Sequence, residues 1–82
     1  MQITYNQFKD SARKCLLEIG ISEEAVNSFI NEDVTLEDME LCTNISIAFD
    51  DKMSKIYPDY DGCFEHETIH EIWEYNKEFI NG

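Results

Sequence analysis

The sequence predicts a small all-α bundle of three main helices plus one or two short ones. Three observations carry that prediction. Apolar residues recur at three- and four-residue steps through most of the chain. Helix-start signals stand where those runs begin: Thr4 with Gln7, Thr35 with Asp38 and Thr68 with Glu71 each read as a capping box. Only three Gly and one Pro interrupt the 82 residues, too few for a loop-rich or all-β chain. That length suits a single domain, residues 1–82, with a small core.

The first helix is expected to start after Thr4 and run to about Ile19. Tyr5, Phe8, Ala12, Cys15, Leu16 and Ile19 mark its buried face, Ile3 and Phe8 can staple its start, and Gly20 stops it. Ser22, followed by Glu23 and Glu24, opens a short second helix ending near Ile30 with Ala25, Val26, Phe29 and Ile30 on its apolar side. Residues 31–34 form a brief polar link. A long helix is then expected from Leu36 to Ile56 or Tyr57, about 30 Å if continuous. Its stripe is Met39, Cys42, Ile45, Phe49, Met53 and Ile56, broadened by Leu36, Leu41 and Ala48. Pro58 ends it, because the residue before proline is biased away from helix. Residues 58–62 are turn-rich, and a short helix or irregular turn is expected near Cys63 to Glu65. The last helix runs from Thr68 to about Ile80, with Ile69, Ile72, Trp73, Phe79 and Ile80 on its stripe and Tyr75 and Asn76 beside it. The bundle should pack around Phe8, Leu16, Phe29, Ile45, Phe49, Ile72 and Trp73.

Eighteen acidic against six basic residues leave a net charge of −12. Repulsion then disfavours direct binding to nucleic acid or to an anionic membrane and favours a protein partner with a basic surface. No stretch is long and apolar enough to span a bilayer, and the N-terminus carries no signal-peptide pattern. Cys15, Cys42 and Cys63 are an odd set without close pairing, which points to buried reduced thiols and a cytoplasmic protein.

The charge also suggests where a partner binds. Glu37, Asp38 and Glu40, followed by Asp50 and Asp51, are candidate partner-binding residues along the long helix, although such a run also serves simply as a solvated face. His66-Glu67-Thr68-Ile69-His70 matches the H-E-x-x-H pattern of zinc hydrolases. That chemistry needs both histidines on one face of a continuous helix. The Thr68 capping box starts the helix after His66, and no third ligand is specified, so neither a metal site nor an enzyme is expected.

One stretch resembles a known family. Val34-Thr35-Leu36 stands where acyl and peptidyl carrier proteins have the Asp-Ser-Leu motif that opens their second helix, and Glu37-Asp38-Met39-Glu40-Leu41 is similar to the next residues of that helix. Ile56-Tyr57-Pro58-Asp59-Tyr60-Asp61 resembles the Ile-Pro-Asp-x-Asp segment beyond its end. The final helix, starting with Thr68-Ile69, is similar to theirs. The resemblance implies a carrier-protein-like bundle that performs no catalysis, presents its acids to a basic partner enzyme and holds an acyl or aminoacyl group on a 4'-phosphopantetheine arm. The matching attachment position is Thr35, with Ser28 as a rival. A plain helix N-cap by itself accounts for Thr35 fully. A second reading stays open: an acidic inhibitor, similar in size and charge to the immunity proteins of nuclease toxins or to DNA mimics, that covers a basic nuclease or nucleic-acid-binding site. Glu37, Asp38, Asp50, Asp51, Asp59, Tyr60 and Asp61 would then make the contacts. In either case the chain is expected to be a monomer on its own.

Overall fold

Thr4 opens the chain's first helix, α1, which spans Tyr5–Ile19. The computed structural model describes residues 2–39, 45–62 and 68–81, with Glu37 and Met39 described by their backbone alone. At the start of α1 the Thr4 hydroxyl accepts from the Gln7 amide at 3.2 Å, while the Gln7 side chain accepts from the Thr4 amide at 2.8 Å. The capping box therefore satisfies two of the donors that a helix start leaves open. At the other end Gly20 takes a left-handed conformation, φ 104°. The Ile21 amide then reaches the Leu16 carbonyl and the Gly20 amide the Leu17 carbonyl, which is a Schellman ending.

Helix α2, Glu23–Ile30, is capped by Ser22, whose hydroxyl accepts from the Ala25 amide at 3.3 Å. The link beyond it is more structured than its polar sequence suggests. Asp33 donates to the Ser28 carbonyl and Glu32 to the Phe29 carbonyl, a second Schellman ending. Here the left-handed position, φ 68°, is held by Glu32, where glycine is the usual residue.

The long helix expected over residues 36–56 is divided. Helix α3 is Leu36–Met39 and helix α4 is Ile45–Ile56. Cα atoms of the two come within 8 Å of one another. Along one straight helix Met39 and Ile45, the nearest pair, would already stand about 9 Å apart along the axis. The two segments are therefore not parts of a single rod. The physical reason is burial. Leu36 is 1% exposed and shares its core with Ile45 and Phe49, which a straight 30 Å helix would carry away from it. Residues 40–44, including Cys42 and Leu41, lie outside the described residues. So do residues 63–67, with Cys63 and the short helix expected there.

Helix α5, Ile69–Asn81, begins at the third capping box, in which Thr68 and Glu71 exchange hydrogen bonds at 3.1 and 3.4 Å. Helix α1 is the hub: α2, α4 and α5 all pack against it. All the regular elements among the described residues are helical, three long and two short. The seven side chains expected to centre the bundle are all buried. Phe8 is surrounded by the rings of Trp73, Tyr57 and Tyr60 at 5.1, 6.0 and 6.4 Å, and the Phe29 and Phe49 rings meet edge to face at 6.0 Å. Each such ring, removed from water, stabilises the fold by about 1.5–3 kcal/mol. Two members of the expected stripes are exposed among the described residues, Ile56 at 48% and Phe79 at 49%.

Candidate functional site

Thr35 caps α3. Its hydroxyl accepts from the Asp38 amide at 3.3 Å, and the Asp38 carboxylate accepts from the Thr35 amide at 2.9 Å. Thr35 is half-buried and Asp38 is exposed. The rival position, Ser28, is half-buried in α2.

The other acids singled out by the sequence fall into different settings. The Glu37 side chain and Glu40 lie outside the described residues. Asp51 is exposed and pairs with Lys55 one turn on, at 3.3 Å. Asp50 is half-buried and accepts from the Tyr60 hydroxyl at 3.1 Å. Because α3 and α4 are separate segments, these acids do not form one stripe along one helix.

Asp50 and Tyr60 belong instead to a polar knot that fixes the loop after α4. The Tyr57 amide caps the helix on the Met53 carbonyl, and the Tyr60 amide turns back to Tyr57 around Pro58-Asp59. The Tyr57 hydroxyl shares a hydrogen bond with Ser11 of α1 at 2.7 Å. Tyr60 is 7% exposed, and burial next to Asp50 pushes its hydroxyl far above the ordinary range. Gly62 lies so close that a Cβ there would collide with the Asp50 carboxylate and the Tyr60 ring. Asn76, fully buried in α5, closes the knot. Its oxygen accepts from the Asp61 amide at 2.7 Å, and its nitrogen donates to the Asp61 and Ile72 carbonyls at 2.9 and 3.0 Å. Asn81, at the end of the same helix, binds the Ile3 amide and carbonyl in the same two-pronged way at 2.7 and 3.2 Å. Sequence patterning gave no role to either asparagine and placed Gly62 only within the turn-rich segment. The one available signal was a polar amide beside the apolar stripe of α5, at Asn76.

Of the two histidines in the H-E-x-x-H pattern, His70 alone is among the described residues. It is exposed at the start of α5, lies edge-on to the Tyr5 ring at 5.4 Å and faces Glu74 at 3.4 Å. Thr68 is not helical, so the pattern does not lie on one continuous helix. His66 and Glu67 are outside the described residues. Among the described residues no three His, Cys, Asp or Glu side chains converge as metal ligands.

Tyr5 itself is polar and confined. Its hydroxyl is buried with no hydrogen-bond partner found among the described residues, and Lys9 lies over its ring at 4.5 Å. Burial, with the neighbouring Glu32 carboxylate adding to it, pushes the Tyr5 pKa up to about 12. Cys15 is a buried free thiol against the Met53 sulfur at 3.7 Å, and burial raises its pKa too.

Fold and charge together define a small acidic all-α bundle with no helix among the described residues long and apolar enough to cross a membrane. Compared with models of protein families, with curated proteins and with solved structures, the chain matches none of them.

Proposed function

We propose that this chain is an acidic binding protein that docks on a basic surface of a partner protein and does no catalysis of its own. The observation that carries the reading is the distribution of charge. Arg13 pairs with Glu23, Lys52 with Glu18, Lys55 with Asp51 and Lys77 with Glu74, and Lys9 lies over the Tyr5 ring. Five of the six cations are thus engaged within the chain, with Lys14 exposed, while the acidic excess of twelve remains. Asp38, Asp59 and Asp61 are exposed at the start of α3 and in the loop after α4. A partner carrying Lys and Arg against them gains association rate and selectivity, whereas nucleic acid would be repelled. The test is recovery of a partner on immobilised protein, compared with a variant carrying Asp38→Lys, Asp59→Lys and Asp61→Lys. The expected partner is basic, is lost by the variant and binds more weakly as salt rises. Equal recovery by the variant sinks the reading.

The carrier form of this proposal adds a 4'-phosphopantetheine arm on Thr35. What supports it is the half-buried Thr35 hydroxyl at the opening of α3, in the sequence setting that resembles the carrier motif. Attack of the Thr35 oxygen on the pantetheine-side phosphorus of coenzyme A breaks the pyrophosphate bond, releases adenosine 3',5'-bisphosphate and the hydroxyl proton, and leaves an oxygen to accept from the Asp38 amide. Intact mass is measured after incubation with coenzyme A and a broad-specificity phosphopantetheinyl transferase. A gain of one arm that disappears in Thr35→Ala supports the carrier form. A gain that persists moves the site, with Ser28 next. No gain removes the arm and leaves the docking function.

A further inference from the structure

The two side chains that the helical stripes mark as core but the fold leaves half-exposed, Ile56 and Phe79, sit at one end of the bundle. Ile56 lines a hollow of about 250 Å³ with Ile3, Tyr57, Pro58, Asp59 and Ile80. The hollow has a rigid frame. Asn81 fixes the Ile3 backbone on one side, and the turn around Pro58-Asp59 fixes the other. Phe79 lines a second, wider hollow beside it with Gln2 and Glu78, and it packs on Tyr75 at 5.5 Å. The charge around this end is negative. Asp59 is part of the lining; Glu78 lines the neighbouring hollow together with Lys77, whose ammonium is held by Glu74, and Lys55 of α4 is held by Asp51.

We propose that this end of the bundle is the docking site for a partner segment in which an apolar side chain is flanked by Lys or Arg. The apolar side chain enters the hollow against Ile56 and Ile80, and the flanking cations meet Asp59 and Glu78. The inference rests on the proposed basic partner and adds the anchor that gives the contact its position. Charge alone would let a chain of −12 slide over many basic surfaces. A fixed apolar pocket with an acidic edge selects one register.

The test uses two synthetic peptides of equal positive charge, one with Leu at three- and four-residue steps among Lys and one with Ser in place of each Leu. Binding to the full chain is followed by titration calorimetry, and by amide chemical shifts to locate the site. The Leu/Lys peptide is expected to bind one-to-one, with the largest shifts at residues 3, 56–59 and 80. Ile56→Ser, at a half-exposed position in the last turn of α4, is expected to weaken it about tenfold and to leave the Ser/Lys peptide unchanged. Asp59→Asn is expected to weaken both peptides, less so at high salt. Circular dichroism confirms that each variant keeps its helices. Equal binding of both peptides, with Ile56→Ser neutral, overturns the docking site while the acidic binding function stands. Binding of neither peptide overturns both. Self-association of the free chain that Ile56→Ser abolishes assigns the hollow to a second copy and also overturns the proposal.

Discussion

Asn76 shows how much of this fold rests on single polar side chains. Its amide is fully buried and meets an amide and two carbonyls, so removing it strands buried backbone groups on the loop. Asn76→Ala is expected to destabilise the chain by about 2–4 kcal/mol, read from the urea midpoint. Glu32 is the opposite case. It holds a left-handed conformation that costs an L-residue about 1–2 kcal/mol, and it places a carboxylate beside the buried Tyr5 hydroxyl. Glu32→Gly should raise stability by about 1 kcal/mol, less any gain in freedom of the unfolded chain. A loss on urea denaturation would mean that the Glu32 carboxylate makes a stabilising contact that outweighs its backbone conformation. Neither effect is visible in the sequence, because a buried amide and a strained turn depend on what the chain brings opposite them.

At the scale of the element, the starts and stops of the helices are set locally. Thr4, Thr35 and Thr68 each bond within three residues of themselves, so their pattern survives whatever the tertiary packing does. Thr68→Ala is expected to cost about 1 kcal/mol and to fray the first turn of α5, seen as faster amide exchange at Ile69 to Ile72. The division between α3 and α4 is a different matter. The periodicity of residues 36–56 records which face is apolar and carries no information on where the axis turns. The turn is decided by the need to bury Leu36 with Ile45 and Phe49 in a core too small for a straight rod to share.

Across the whole molecule, charge and buried hydroxyls set the response to solution conditions. Twelve uncompensated negative charges repel one another, and salt screens that repulsion. Raising salt from about 0.01 to about 0.5 M should lift Tm by about 4 °C or more. A flat Tm would show that the acids are spaced too widely to repel. Alkali acts through Cys15, Tyr5 and Tyr60, whose pKa values are all raised in the folded chain. Such groups bind their protons more tightly when folded, so the stability they confer is complete at neutral pH and falls as pH rises. The loss should begin near pH 9, where the unfolded thiol ionises, and steepen above pH 10 as unfolded tyrosines follow. Tyrosinate absorbance from Tyr5 and Tyr60 is expected to appear only near or above pH 12, or together with the loss of helical circular dichroism.

The sequence by itself determined the all-α class, the helix starts at Thr4, Ser22, Thr35 and Thr68, the ends at Gly20 and Pro58, and the seven core side chains from Phe8 to Trp73. All of these depend on spacing and on contacts within a few residues, which the order of residues specifies directly. It also determined the acidic excess on which the proposed function turns. Only the tertiary structure decided that α3 and α4 are separate, that Asp50 is half-buried under Tyr60 while Asp51 faces solvent, and that Ile56 and Phe79 end up half-exposed. An apolar stripe states that a face prefers burial. Whether something covers each position depends on how far the neighbouring helices reach, and near the ends of α4 and α5 they leave these two uncovered.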